Sequence, residues 1–238
     1  MAEAAAQLQK GLDQLSLLPE SPERQRQELD FLSSPGAALQ AVKGYAAPET
    51  GQTYAHAREL WEQLGSPAEF LQIPYGRSRY HIGRGELDLA QRSDEDLLRL
   101  SQQRNDSAGL VLAHTSLGRN LLLGGRLASS QSHLEEALAL YDPTFHRSLG
   151  HLVGNDPQVN SLAFLGIVLF CLGFPDQALA RSSAAIAEAR KLAHPPSLTL
   201  SLSIGTLPLS FAGDKAALEE LAEQLVALRW VPSIAAGL

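Results

Sequence analysis

Four glycines, each followed by the start of an amphipathic segment, constrain the fold of this 238-residue chain more than any other feature. They are Gly85, Gly125, Gly173 and Gly213, and they stand 40, 48 and 40 residues apart. An apolar segment of similar length precedes each glycine, and the alternation typical of strands is almost absent. A period near 40 predicts stacked helical hairpins, because each hairpin needs its neighbours to cover its apolar face.

The apolar periodicity predicts four regular helix pairs: 68–84 with 87–102, 107–123 with 127–141, 157–172 with 175–192, and 196–212 with 215–229. Upstream, 2–17 is predicted to form an amphipathic helix, and 22–45 with 49–64 a further pair. We therefore predict an all-α, tetratricopeptide-like helical-repeat solenoid of five to six hairpins. It should form one domain over 1–238, with a disturbed N-terminal segment over residues 1–66, regular repeats over 67–229 and an irregular tail over 230–238.

Small residues stand where the two helices of a hairpin should approach most closely. Gly118 and Gly166 lie seven positions before turn glycines, and Ala90 and Ala178 lie five positions after them. A larger side chain there would push the helices apart. The pattern holds at four of eight such positions. The other four are occupied by Ser78, Ser130, Thr206 and Leu218.

The charge and composition of the chain indicate which classes of partner it can bind and where it is located. The net charge is −7, whereas nucleic acids and anionic membranes require a basic surface, so neither is predicted to be the main partner. The apolar run 162–172 is too short to span a membrane, and the first residues contain no hydrophobic signal core. We therefore predict a cytoplasmic protein. The single cysteine, Cys171, lies in this run and is predicted to be a small buried hydrophobe.

Five short stretches point to a particular group of proteins: YAAPE at 45–49, YDP at 141–143, HRS at 146–148, NDP at 155–157 and GFPDQALA at 173–180. They resemble the C-terminal tetratricopeptide-like region of large bacterial regulators. In those regulators a class III adenylate/guanylate cyclase domain is joined to an ATPase module of the signal-transduction type. The resemblance covers about 2–228 and implies a helical scaffold that senses or binds partners.

Catalytic motifs are missing from the sequence. It contains no GxxxxGK[S/T] phosphate loop and no GxSxG nucleophile elbow. We therefore predict that the chain is not an enzyme and needs no cofactor or metal, with an enzyme of unrecognised type as a minor alternative.

The chain departs from the regulators that it resembles at three places. Pro35 falls where they have an unbroken helix and is predicted to break 22–45 near its middle. Pro208 should kink the first helix of the last pair. The tail 230–238 leaves the repeat pattern and provides no polar cap after Leu228, which predicts self-association through an exposed apolar end.

Aligning the hairpins on their turn glycines predicts a concave groove lined by the first helix of each pair. Arg79 and Arg119 take equivalent positions in consecutive hairpins, so they should stand one above the other and suit a carboxylate or phosphate. The alternative is that both are solvated or paired with neighbouring acids. The predicted groove site comprises Gln72, Tyr75, Arg79, Thr115, Arg119 and Asn160, beside Ile82, Leu112, Leu122, Ala163, Ile167 and Phe170.

The inserted segment 141–157 explains the 48-residue spacing. Its His146, Arg147 and His151 are candidates for a metal or phosphate site. However, the spacing of the two histidines lacks the helical logic of a zinc motif, which favours a loop ordered by packing and hydrogen bonds. His114 is predicted to be a core or half-buried histidine, and the run Asp94-Glu95-Asp96 a solvated helix face.

These features predict a protein-interaction or sensor module of a bacterial signalling regulator, which binds a peptide or protein and, in longer relatives, acts on the attached cyclase or ATPase. The first alternative is a small-molecule-sensing domain in which 141–157 closes over one end of the groove. The second is a truncated fragment without a function.

Overall fold

The computed structural model describes residues 2–43 and 46–229. Tyr45 of the YAAPE stretch and the whole tail 230–238 therefore lie outside the described residues. Within these ranges the secondary structure is helical and contains no strand, so the predicted all-α class is confirmed. The chain divides into two compact units, residues 1–109 and 110–238. A single domain over the whole chain stays a prediction.

The first unit contains α1 (Ala2–Leu15), α2 (Pro22–Lys43), α3 (Pro48–Gln63), a single 3-10 turn (Ala68–Phe70), α4 (Gln72–Gly83) and α5 (Leu87–Arg104). Each helix packs against the next along the chain. The core includes Leu29, Ala57, Trp61 and Ile73. Burial of these apolar side chains is the main force that holds the hairpins together.

The second unit contains most of α6 (Ser107–Leu123), then α7 (Leu127–Leu140), α8 (Pro143–His146), α9 (Leu149–Val153), α10 (Pro157–Cys171), α11 (Pro175–Leu192), α12 (Pro195–Ala212) and α13 (Lys215–Arg229). Helix α10 packs against α7, α11 and α12, and α12 also packs against α13. Core residues include Leu134, Leu165, Val168 and Ala178.

All four turn glycines end their helices in the same way. Gly85, Gly125, Gly173 and Gly213 have φ angles of 74°, 73°, 89° and 72°, in the left-handed region that favours glycine. The residue after each glycine donates its backbone N–H to the carbonyl five residues earlier, at 2.8 to 3.1 Å. This is the hydrogen bond of a Schellman C-cap. It confirms the predicted hairpin turns.

The small residues lie at close helix contacts, as predicted. A Cβ atom on Gly118 would be 2.5 Å from Leu134 Cγ, and one on Gly166 would collide with Ser182 Oγ. Ala90 and Ala178 are fully buried. Ser130, one of the apparent exceptions, donates its hydroxyl to the Gly118 carbonyl at 2.6 Å. Serine is therefore accepted at position 130 because the backbone of the facing helix satisfies its hydroxyl.

Three expectations about single residues are wrong. Helix α2 continues without a break through Pro35. The proline lacks one N–H and its ring crowds the preceding turn, but the hydrogen bonds of the neighbouring turns hold the helix together. Cys171 is exposed, because it is the last residue of α10 and points away from the packed face of the helix. Asp94 is fully buried, although the run around it was predicted to be solvated. Helix α12 also continues through Pro208, and the predicted kink at this proline stays a prediction.

Candidate functional site

The predicted groove residues of the first unit lie on α4. Tyr75 is only 1% exposed, and Gln72 and Arg79 are half-buried. The Arg79 guanidinium carbon lies 6.0 Å from the centre of the Tyr75 ring, at cation–π distance. The Tyr75 ring therefore holds the Arg79 guanidinium in place.

The predicted groove residues of the second unit are packed between helices. Thr115 and Asn160 are 1% and 2% exposed, and Arg119 is 9% exposed. Thr115 Oγ1 donates to the Val111 carbonyl at 2.8 Å and lies 3.0 Å from Ser161 Oγ, which joins α6 to α10. Arg119 Nη2 donates to Ser116 Oγ at 3.2 Å. The stacking of Arg79 on Arg119 stays a prediction, because the two residues belong to different units.

The three candidate residues of segment 141–157 point in different directions. His146 is 3% exposed, and its Nδ1 accepts the backbone N–H of Asp142 at 3.0 Å. Arg147 and His151 are exposed, and the His151 ring meets the His194 ring edge-on at 5.1 Å between centres. Among the described residues no three metal-ligating side chains are assembled.

Asp156 is the centre of a buried hydrogen-bonded network that fixes the inserted segment. Its Oδ1 accepts the Val159 N–H at 3.1 Å and so caps α10. Its Oδ2 accepts the Tyr141 hydroxyl at 2.8 Å, and its own N–H donates to Ser197 Oγ at 2.8 Å. Burial, followed by the hydrogen bond to the Asp156 carboxylate, raises the pKa of the Tyr141 phenol. The network ties α7, α10 and α12 together.

This network contains the residue types of a serine hydrolase but not its geometry. His194 Nδ1 lies 2.8 Å from Ser197 Oγ. However, Ser197 is fully buried and its oxygen accepts a backbone N–H, while the Asp156 carboxylate bonds Tyr141 and the α10 N-terminus. A nucleophile must reach its substrate and its base must be oriented by the acid. The arrangement is therefore a structural hydrogen-bond network that connects the inserted segment to α10 and α12.

His114 of α6 and His133 of α7 form a close pair within the second unit. Their Nδ1 atoms are 3.0 Å apart, so one ring donates and the other accepts. Burial lowers the pKa of both rings; His133 lowers that of His114 further, and Arg126 lowers that of His133. The negative charge of Glu136 raises the pKa of both rings, but by less than these effects lower it. Both rings therefore take up protons less readily in the folded chain than in the unfolded chain.

We expect the free energy of unfolding to fall as the pH is lowered from 7.5 to 5.5. The unfolded histidines bind protons below their ordinary pKa of about 6.5, while the folded pair resists protonation, so acid favours the unfolded state. Denaturant titrations at both pH values measure the loss, which should be smaller in His133→Gln. The control is His56→Gln, at a half-exposed ring bonded to Glu28. An equal loss in the wild type and His133→Gln would contradict this account.

A pocket that the sequence did not predict opens in the first unit between α3, α4 and α5. Its volume is about 160 Å³. Its apolar wall consists of Trp61, Ile73, Pro74, Leu97 and Leu100. Trp61, Ile73 and Leu97 are at most 5% exposed, so the pocket reaches into the core of the unit.

Three arginines stand around this pocket, one from each helix: Arg58 of α3, Arg77 of α4 and Arg99 of α5. Arg58 Nε donates to Glu62 Oε1 at 2.5 Å, and Arg99 Nη2 donates to Asp96 Oδ1 at 3.1 Å. Both carboxylates also line the pocket. The rim therefore holds three guanidiniums and two carboxylates around an apolar interior.

The turn that forms one wall of the pocket is held in place. Ser66 lines the pocket with φ at 57°, an unusual value for a residue with a side chain. Trp61 Nε1 donates to the Pro67 carbonyl at 2.9 Å, and Arg104 donates to the carbonyls of Gly65 and Ser66. The pocket is therefore already formed without a ligand.

The position of the arginines on their helices explains why aligning the hairpins did not predict the arginine rim. Arg77 lies only two residues before the predicted groove residue Arg79. Two residues correspond to about 200° around an α-helix, so the two arginines face different sides of α4. Arg58 and Arg99 belong to second helices of their hairpins, which the groove alignment did not include.

In the part of the chain that the structure describes, no helix combines the length and apolar character that a membrane-spanning segment needs.

The comparisons define the class of protein by its fold. Neither a scan of protein-family models nor a search of curated proteins gives a match. Among solved structures, the fold is similar to that of BtubC (BKLC) from P. vanneervenii, with a TM-score of 0.67 and 15% identity, over 96% of this chain and 90% of that one. The chain is thus an all-α protein with a tetratricopeptide-like helical-repeat fold.

A second similar structure is a putative kinesin light chain from Podosopora anserina with nearly identical TPR-like repeats. Its TM-score is 0.55 at 16% identity, over 89% of this chain and 97% of that one. At these identities the likeness concerns the fold alone.

Proposed function

We propose that this chain is a non-catalytic interaction module that binds a peptide or protein partner. The observation that carries the proposal is the preformed pocket between α3, α4 and α5, with an apolar interior and charged groups at its mouth. Recognition sites commonly combine these two features, because apolar burial supplies affinity and a few polar groups supply orientation. The tetratricopeptide-like fold is consistent with this role.

The predicted groove is kept in this proposal as a second contact surface. Arg79, supported by Tyr75, and half-buried Gln72 would contribute from α4 to a surface of the first unit. Thr115, Arg119 and Asn160 are at most 9% exposed, so within the second unit they would support a contact surface from inside. The exposed loop residues Arg147 and His151 remain candidates for an added contact, whereas His146 supports the loop from within.

The charge of the chain favours a protein partner over nucleic acid or a membrane. The net charge is −7, so long-range forces repel polyanions. We further propose a cytoplasmic location and a role in a bacterial signalling regulator, in which the partner is a separate protein or an attached cyclase or ATPase domain. These finer statements are supported by the five sequence stretches that resemble such regulators.

Self-association is a further proposal. Phe211 of α12 and Val226 of α13 are 57% and 59% exposed. Exposed apolar side chains on the last hairpin would be covered if a second copy packed against them. Sedimentation of the wild type and Phe211→Ser would test this directly.

Small-molecule sensing is the competing function, and the size of the pocket bears on it. Sites for drug-sized ligands usually enclose about 300 to 1,000 Å³, whereas this pocket has a volume of about 160 Å³. One side chain fits such a space better than a whole nucleotide or sugar. Peptide binding is therefore favoured.

Selection from a random peptide library displayed on phage tests the proposed function. The immobilised chain should enrich a set of related peptides, and synthetic copies should bind in solution, because a helical-repeat interaction module presents recognition surfaces in its folded form. A heat-unfolded sample is the control. If no peptide binds the folded chain better than the unfolded one, the proposed function is wrong.

A further inference from the structure

We infer that the α3–α4–α5 pocket binds one phenylalanine- or leucine-sized side chain of an acidic peptide segment, whose neighbouring carboxylate is held by the arginine rim. The inference rests on the proposed function and adds the chemistry of the bound segment. It follows from the pocket's size, charge and rigidity.

The size of the pocket limits its occupant to one apolar side chain. Its volume is about 160 Å³, and an engineered apolar cavity of about 150 Å³ binds benzene. The Trp61, Ile73 and Leu97 side chains provide an apolar surface for a ring or a branched aliphatic group. Such an anchor in a preformed pocket is a common centre of binding energy in protein interfaces.

The charge at the mouth favours a carboxylate beside the anchor. The rim is net positive, with three arginines against Glu62 and Asp96, in a chain whose net charge is −7. A local positive region in an acidic chain attracts acidic groups while the rest of the surface repels them. Guanidinium groups also match the two oxygens of a carboxylate.

The existing ion pairs at the rim are easily exchanged. Arg58 pairs with Glu62, and Arg99 with Asp96, each along its own helix, and the two arginine side chains are 35% and 59% exposed. Exposed pairs of this kind contribute little to stability. Either arginine can therefore turn to a peptide carboxylate at small cost, while the rigid turn 64–67 keeps the apolar wall in place.

The experiment uses a fluorescein-labelled synthetic decapeptide in which one phenylalanine stands among glutamates and aspartates. Three variants of the 238-residue chain are compared with the wild type. Ser93→Phe fills the pocket from α5, where Ser93 is 4% exposed. Arg77→Gln removes one rim charge, and Arg92→Gln removes an exposed arginine of α5 that does not line this pocket. Fluorescence anisotropy measures affinity.

We expect Ser93→Phe to weaken binding by more than about tenfold and Arg77→Gln by about three- to tenfold, because they remove the anchor site and a rim charge. Arg92→Gln should stay within about twofold, since exposed charges away from a contact have small effects. Circular dichroism confirms that each variant is folded. Arg77→Gln, a change at the pocket mouth, keeps the test decisive if Ser93→Phe unfolds the chain.

Two peptide controls and one small ligand complete the experiment. Replacing the phenylalanine by alanine, or all acids by their amides, should each abolish binding. If the peptide binds the wild type and both pocket variants equally, the pocket assignment is overturned, while peptides enriched by phage selection would still uphold the proposed function. If phenylacetate alone competes as strongly as the peptide, the occupant is a small aromatic acid and the inference is also overturned.

Discussion

Replacing Gly118 with alanine should lower the free energy of unfolding by about 2 kcal/mol, because extra atoms in a well-packed contact force neighbours to shift. The new Cβ would lie 2.5 Å from Leu134 Cγ, 2.6 Å from Cδ2 and 3.3 Å from the Leu134 backbone nitrogen. Leu134 is fully buried and packs in the core of the second unit, so its side chain has no free space. Denaturant-induced unfolding followed by circular dichroism measures the change.

Gly124→Ala provides the matched control six residues later. There a Cβ would stand 3.6 Å from its nearest neighbour, the Asn120 carbonyl oxygen, at ordinary contact distance. We expect a change within about 0.5 kcal/mol, as for most surface substitutions. Equal effects of the two substitutions would show that α6 and α7 do not approach as closely as described.

Asp156→Ala should destabilise the chain by about 3 kcal/mol, because it combines loss of a helix cap with loss of a buried hydrogen-bond acceptor. The substitution uncaps α10 and leaves the half-buried Tyr141 hydroxyl without its partner. Without the hydrogen bonds of the Asp156 side chain, segment 141–157 should open more often. Hydrogen exchange at its backbone amides should therefore also become faster. Denaturant titration and exchange mass spectrometry measure the two effects.

Two further variants separate the cap from the network. Asp214→Ala removes an exposed cap, in which Oδ1 accepts the Ala217 N–H at 3.1 Å, and should cost about 1 kcal/mol. Tyr141→Phe alone should be destabilising, yet nearly neutral when Asp156 is already alanine, since the same hydrogen bond cannot be lost twice. Additive effects of the pair would mean that Tyr141 and Asp156 do not interact.

The hairpin architecture could be predicted from the sequence because its signals are local. A left-handed residue after a helix selects glycine, so Gly85, Gly125, Gly173 and Gly213 each mark a turn by themselves. Close helix contact selects small residues within one hairpin, as at Gly118 and Gly166. Both signals depend only on neighbours within the same hairpin.

The candidate site could not be predicted in the same way, because it depends on how three successive helices pack around one cavity. Thr115 looks like a polar groove residue, yet it is buried because the carbonyl one turn earlier satisfies its hydroxyl. The pocket joins Arg58, Arg77 and Arg99 from three helices and needs the turn at Gly65 and Ser66, in which the serine also has a positive φ that its residue type does not predict. Periodicity alone does not bring such residues together.

The most direct test of peptide binding through this pocket is the indole N–H signal of Trp61 in a nitrogen-15 NMR spectrum. The chain has two tryptophans, so Trp230→Phe leaves Trp61 as the only indole. Its N–H donates to the carbonyl of Pro67, the residue after the pocket-lining Ser66, and Trp61 itself lines the pocket. Saturation with the acidic phenylalanine peptide should shift this signal strongly, and the alanine-substituted peptide should leave it in place. A Trp61 signal that does not move while the peptide is demonstrably bound would contradict the account.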